Sequence, residues 1–186
     1  MKYTQAFRVV RRLIISVVSA ALIAPLSAYA QPYGRGTYGA NVPYGSETSL
    51  AISTSGNVFI QITPDDNAVL GTADNVITVT STDVVGYSLY ARALSSSDMA
   101  NGPAILPASS NTSPGALATN TWGYNISGSG TNFVGMSTSN ELMKTTTGPF
   151  TGGDVTTVKY GVKIDNTKPA GNYVTTVMYT AAPETD

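Results

Sequence analysis

The sequence predicts an all-β protein built as an antiparallel β-sandwich of about seven to nine strands. From residue 47 onward the apolar residues recur with a period of two rather than 3.6, which places successive side chains on opposite faces of a strand. Clusters of Gly, Pro, Asn, Asp and Ser separate these runs and are typical of turns. No stretch of the mature chain has the spacing of an amphipathic helix.

The N-terminus has the three parts of a secretory signal peptide. A basic stretch at residues 8–12 precedes the uncharged apolar run Leu13–Leu26, and Ala28 and Ala30 form an A-x-A cleavage pattern before Gln31. The alternative is an uncleaved membrane anchor, but the apolar run is shorter than the roughly 20 residues that a spanning helix needs. We therefore expect residues 1–30 to be removed and the protein to be exported, to the medium or the cell surface.

The composition of the mature chain excludes several classes of function. Four of the ten Lys and Arg residues fall in residues 1–30, so six remain against eleven acidic residues and the net charge is −5. Because these six cations are scattered, nucleic-acid binding has no electrostatic basis. We expect contact with a membrane only through an uncleaved signal segment. The sequence has no cysteine and no histidine, which excludes thiol chemistry and histidine-activated nucleophiles.

Residues 31–46 repeat Tyr-Gly three times among prolines and small residues, which predicts a flexible arm between the signal peptide and the sandwich. A linker is the simpler interpretation, and an adhesive or assembling arm is the alternative because exposed tyrosines can stack on aromatic rings or sugars. We place the sandwich domain at residues 47–181 and a short tail at residues 182–186.

The strands follow in order from residue 58. In the first strand Val58, Ile60 and Ile62 alternate with Phe59, Gln61 and Thr63, and the run ends at the turn signal of residues 64–67. Val76–Thr80 and Val85–Ala91 have the same pattern. In Val158–Ile164 the apolar residues alternate with Lys and Gly, which is typical of a half-buried strand.

The last strand is expected at residues 173–180, as the hairpin partner of Val158–Ile164. Gly171-Asn172-Tyr173, at the start of this strand, has the pattern of a tyrosine corner, in which a buried Tyr hydroxyl bonds to nearby backbone. This feature favours an immunoglobulin-like sandwich.

Two segments, residues 94–120 and 128–154, are longer than ordinary connections. In the second, residues 132–136 and 141–146 could form short edge strands. The first holds Ala104-Ile105-Leu106 between two prolines, and we expect it to be a recognition surface because binding residues favour loops on a rigid scaffold.

Four segments resemble, in order and spacing, a module of uncharacterised secreted proteins from small-genome candidate-phylum bacteria. They are Asn120–Tyr124 (NTWGY), Lys144–Thr146 (KTT), Thr156–Asp165 (TTVKYGVKID) and Lys168–Ala181 (KPAGNYVTTVMYTA). The resemblance covers residues 47–181 and implies a surface-exposed or released sandwich, similar in style to immunoglobulin-like and pilin-like domains. It supplies no catalytic residues.

Trp122, Tyr124 and Asn125 are the candidate ligand-binding residues. Trp122 and Tyr124 share one strand face and could stack on a sugar ring while Asn125 bonds its hydroxyls. The alternative is that Trp122 is a core anchor, and its phase with Ile126 favours the core.

We expect no catalytic, cofactor-binding or metal-binding residues. Four aspartates near the predicted strand ends could supply oxygen ligands to a calcium ion: Asp65, Asp66, Asp74 and Asp83. Their spacing matches no known calcium-binding motif, and acidic residues in turns are more often solvated or bonded to their own backbone. Carboxylate-pair hydrolysis needs two acids held across a cleft, and the only glutamates are Glu47, Glu141 and Glu184.

The sequence therefore predicts a secreted or cell-surface, non-enzymatic protein with a structural or adhesive role at the cell envelope. Its expected partners are envelope or host-surface components or glycans, and self-association is possible in principle through strand edges. The alternatives are a pilin-like filament subunit that assembles by strand pairing and a glycan-binding module.

Overall fold

A computed structural model describes residues 49–184 and contains only strands and irregular segments there. The all-β, sandwich-like prediction is confirmed. Eleven strands are present in the described residues: β1 (Ser49–Thr54), β2 (Val69–Thr82), β3 (Gly86–Ala93), β4 (Met99–Asn101), β5 (Ala104–Leu106), β6 (Gly115–Ala116), β7 (Thr121–Asn125), β8 (Asn132–Phe133), β9 (Glu141–Thr147), β10 (Asp154–Ile164) and β11 (Val177–Glu184). The signal peptide with Ala28, Ala30 and Gln31, and the arm at residues 31–46, lie outside the described residues.

Seven of these strands build the two main sheets. One sheet has the order β1-β2-β10-β7 and the other β11-β3-β9, and every neighbouring pair is antiparallel. The four remaining strands form two small ladders, β4-β5 and β6-β8, within the segments that the sequence left as long loops. The total exceeds the expected seven to nine because these short pieces carry little periodic signal.

The β2-β10 ladder is the longest pairing and fixes which side chains face inward. Its register runs from Asp154 opposite Val79 to Ile164 opposite Val69. Val158, Tyr160, Val162 and Ile164 of β10 are buried, as their alternation predicted. The edge strand expected at residues 141–146 is β9. Of the second edge strand, expected at residues 132–136, only residues 132–133 form a strand, which is β8.

The hydrophobic core lies between the two main sheets. Both sheets contribute fully or almost fully buried side chains to one cluster, which includes Ile77, Val79, Tyr87, Leu89, Ala91, Trp122, Met143 and Val158. Burial of such β-branched and aromatic side chains is the main free-energy gain of the fold.

Two strand predictions need correction. Residues 58–63 have the expected alternation of exposure, but they join no ladder in the described residues. The last strand starts at Val177 and pairs with β3 in the other sheet, so its predicted hairpin with β10 is wrong. It also continues to Glu184, which places residues 182–184 of the expected tail inside the sandwich.

Tyr173 bonds to nearby backbone as expected, but this hydrogen bond is exposed rather than buried. Its hydroxyl donates to the Pro169 carbonyl oxygen at 2.9 Å, which holds the chain reversal that leads to β11. The immunoglobulin-like character of the sandwich stays a prediction.

Candidate functional site

Trp122 lies in the core rather than on a surface. Its side chain is 0% exposed, and its indole Nε1 donates to the Ser97 carbonyl oxygen at 2.9 Å. Its ring is tilted against Tyr160 of the neighbouring strand at a centroid distance of 6.3 Å. A ring enclosed in this way cannot stack on a sugar, so the structure favours the core interpretation and corrects the stacking one.

Tyr124 and Asn125 are also buried, each for a different structural task. The Tyr124 hydroxyl donates to Glu141 Oε2 at 3.0 Å and thereby connects β7 to β9 in the opposite sheet. Asn125 Nδ2 donates to the carbonyl oxygens of Ser129 and Asn132 at 2.6 and 2.7 Å. The Tyr124 hydroxyl and the Asn125 amide nitrogen thus bond to the protein itself, while Asn125 Oδ1 is buried without a hydrogen-bond partner in the described residues.

Asn125 holds a loop that covers the outer face of the four-stranded sheet. This loop carries Phe133, which is fully buried although it lies outside the two-sheet core. A Cβ at Gly161 would come within 2.5 Å of Phe133 Cζ, and one at Gly123 within 3.2 Å of Phe133 Cβ. Glycine at both positions is thus what lets the ring lie flat on the backbone of β7 and β10.

A second polar network joins the sheets around Asp154. Its Oδ2 accepts hydrogen bonds from the Tyr87 hydroxyl at 2.6 Å and from Lys144 Nζ at 2.7 Å. Burial raises the pKa of the Asp154 carboxyl, but the hydrogen bonds from Lys144 and Tyr87 and the Lys144 charge together lower it. The carboxylate is therefore the stable form of Asp154 at neutral pH, and its role is to connect β3 and β9 to β10.

A third cross-sheet contact joins Tyr160 and Tyr179, whose hydroxyl oxygens lie 2.5 Å apart. Burial raises the pKa of Tyr160, and the neighbouring Tyr179 raises it further. Burial and the adjacent Glu141 also raise the pKa of Tyr124. All three networks link one sheet to the other, so their ionisable groups are engaged in holding the sandwich together.

The four aspartates considered for calcium occupy different surroundings. Asp74 pairs with Lys159 at 2.6 Å across the β2-β10 ladder, while Asp83 is buried directly after β2. The backbones of Asp65 and Asp165 form an isolated β-bridge at the other end of the sheet. Asp66 Oδ1 accepts a hydrogen bond from Asn166 Nδ2. Within residues 49–184 no three acidic, Cys or His side chains come together as metal ligands.

The predicted recognition loop contains a rigid hairpin, β4-β5. Gly102 turns it with a φ of 59°, a conformation that glycine adopts without strain. The Ala100 amide donates to the Val174 carbonyl oxygen at 3.0 Å, and the Val174 amide donates to the Ala100 carbonyl oxygen at 3.0 Å. Lys168 Nζ donates to the Ile105 carbonyl oxygen at 2.9 Å. Leu106 is buried, whereas the Ile105 side chain is 50% exposed.

Phe59 is the exposed aromatic residue that the sequence analysis did not single out. Its side chain is 82% exposed, between the half-buried Val58 and Ile60. The signal was present in the sequence, because the alternation already placed Phe59 opposite the apolar face. Among the described residues, three other apolar side chains are 58% exposed, and each lies on a separate element: Leu142 on β9, Val155 on β10 and Val174 before β11.

No helix in residues 49–184 is long and apolar enough to cross a bilayer. Comparisons with protein-family models, with curated proteins and with solved structures found no match to this chain.

Proposed function

We propose that this protein is exported and acts at the cell surface as a non-enzymatic, adhesive or structural sandwich domain. The observation that carries the proposal is the β4-β5 hairpin. Hydrogen bonds from residues 168–174 fix its position, yet it presents Ile105 half exposed to solvent. An apolar side chain on a rigid frame is a suitable anchor for a partner, because little conformational entropy is lost on binding.

The chemistry of the interior supports a structural rather than a catalytic role. Asp154, Lys144 and Glu141 reach between the sheets, and each is engaged by a partner within the sandwich. These cross-sheet bonds take the place that disulfides have in many exported domains, since the chain has no cysteine.

Immunogold labelling of the native protein on intact cells tests the location. We expect label on the cell envelope, and label confined to the cytoplasm would contradict the proposal. An Ile105→Asp variant tests the binding role, with Leu142→Asp as the matched control because Leu142 is 58% exposed on β9. We expect Ile105→Asp alone to release the folded protein from the cells.

A filament subunit is the second candidate, and the β1 edge favours it. β1 lies at the end of its sheet, is exposed at five of its six positions and carries no charged residue. Such an edge is a template for strand pairing with another chain. Negative-stain microscopy of the purified chain tests this candidate: ordered filaments support it, and a uniform field of single particles contradicts it.

A further inference from the structure

Residues 57–63, here called the unpaired segment, lie between β1 and the turn at residues 64–67, and their exposure alternates residue by residue as in a strand. Within the part of the chain that the structure describes, no backbone or side-chain atom of this segment makes a hydrogen bond. Unpaired backbone amide and carbonyl groups are a template for an added strand. The segment therefore has the exposure pattern of a strand but no ladder partner within the described residues.

The side chains of the unpaired segment alternate between half-buried and exposed positions, as in a strand with one covered face. Val58, Ile60 and Ile62 pack partly buried against the core. Ile60 and Ile62 lie directly on β2, since a Cβ at Gly71 would come within 2.6 Å of Ile62 Cγ1. A strand added beside them would complete the burial of this apolar row, which stabilises pairing through the hydrophobic effect.

The sequence of the segment does not protect it against such pairing. Natural edges carry charged residues, Pro or bulges that prevent association. Residues 56–63 (GNVFIQIT) contain no charge and no Pro, and Phe59 is 82% exposed. An uncharged, β-branched stretch with an exposed aromatic residue favours pairing with a like segment.

We propose that the unpaired segment pairs antiparallel with the same segment of a second copy of this chain, about a twofold axis at Ile60. In this register Val58 lies opposite the second copy's residue 62, and Phe59 lies opposite its residue 61. The apolar row then continues on one face across both copies, because only a register centred on a residue keeps even positions opposite even positions.

Charge selects the antiparallel direction. In a parallel, in-register pair the turns that carry Asp65 and Asp66 would meet at one end of the ladder, and like charges held close together are destabilising. In the antiparallel register these two turns lie at opposite ends of the ladder. The second copy is thus a charge-compatible partner in one orientation.

The inference goes beyond the proposed function and stands or falls separately from it. A ladder of seven residues is small for a protein interface, which usually buries more than about 1,200 Å² in stable complexes. We therefore expect a weak dimer that forms at high local concentration. If the protein is found at the cell surface but is strictly monomeric, only the dimer proposal is contradicted. If the protein forms dimers but is not found at the surface, only the proposed function is contradicted.

A charge exchange at the exposed positions tests the pairing in the full exported chain. The variant Phe59→Lys/Gln61→Lys places Lys opposite Lys, and Phe59→Glu/Gln61→Glu places Glu opposite Glu. By sedimentation equilibrium we expect each variant alone to associate roughly tenfold more weakly than the wild type. An equal mixture of the two should associate again as a heterodimer. Failure of the mixture to recover association would overturn the antiparallel register.

Cross-linking in the cysteine-free chain provides an independent test. Ile60→Cys places a thiol opposite its own copy at the twofold axis, within the distance over which antiparallel neighbours can form a disulfide. Under mild oxidation we expect a disulfide-linked dimer on a non-reducing gel. Ile105→Cys is the matched control, since its side chain is half exposed on another element. Equal cross-linking of the two variants would refute the proposal.

Discussion

Replacing Trp122 by Ala separates the core role of this residue most directly from a binding role. The side chain is 0% exposed and its Nε1 donates to Ser97 at 2.9 Å. Truncation of a buried Trp costs about 3–5 kcal/mol. Trp122→Phe keeps most of the apolar contact but leaves the Ser97 carbonyl without its donor, at about 1–3 kcal/mol. The expected order of stability is therefore wild type, then Phe, then Ala.

Urea denaturation followed by far-ultraviolet circular dichroism measures this order without relying on the tryptophan signal. For a domain of this size each kcal/mol lowers Tm by about 2–4 °C, so Trp122→Ala should melt roughly 6–20 °C lower. Phe59→Ala is the control, because a residue that is 82% exposed should change stability by less than about 0.5 kcal/mol. A Trp122→Ala variant within about 1 kcal/mol of the wild type would show that the reasoning is wrong, as would acrylamide quenching of the native tryptophan equal to that of the unfolded chain.

The remaining predictions concern the glycine contact and the titrating networks. Gly161→Ala should lower the free energy of unfolding by about 1–3 kcal/mol, because its Cβ would lie 2.5 Å from Phe133 Cζ. Adding Phe133→Leu to this variant should restore part of the lost stability. Gly152→Ala is the control in the same urea assay and should be neutral, because its Cβ would meet no atom within 4 Å. Burial raises the pKa of Tyr160 and Tyr124 above 10.0, so the stability that these residues contribute below pH 10.0 should be lost as the pH rises beyond it. Tyr160→Phe should make the loss of stability with pH less steep. An unchanged slope in this variant would contradict the role of Tyr160 in the pH dependence. The pKa of Asp154 lies below 3.8, so its stabilising contribution should be present at neutral pH and be lost as the pH falls below 3.8. Thermal melts of Lys144→Met should show a smaller loss of stability at low pH than those of the wild type. An equal loss in both proteins would exclude the Lys144 contact as the cause of the acid sensitivity.

The strands with strict alternation could be predicted from the sequence. Val158, Tyr160, Val162 and Ile164 are buried in β10 as their spacing indicated, because the side-chain period of a strand is a local property of the backbone. The edge strand β9 was also foreseen from its short polar-apolar pattern. Local patterns thus locate strands and their inward faces.

The partners of these strands could not be predicted in the same way. Residues 58–63 have the period of a strand, yet they join no ladder in the described residues, and β11 pairs with β3 rather than with β10. Which two edges meet depends on distant residues such as Leu89 opposite Ala181. Neither the sequence spacing nor a turn signal contains that information.

The candidate site shows the same division. The period-two pattern placed Trp122 and Tyr124 on one face and favoured the core for Trp122, and the structure buries both. That Tyr124 bonds Glu141, or that Phe133 lies on Gly161, follows only when distant segments come together. The contacts join residues 17 and 28 positions apart.

The sequence by itself determined the strand period, the acidic charge, the absence of Cys and His, and the prediction of an N-terminal export signal, since each depends on residue type and local order. The tertiary structure alone decided which sheet each strand joins, that the tyrosine and Asp154 networks connect the two sheets, and that Ile105 and Phe59 remain exposed. The physical reason is that burial and hydrogen bonding are properties of contacts between distant residues, which form only when the sheets pack.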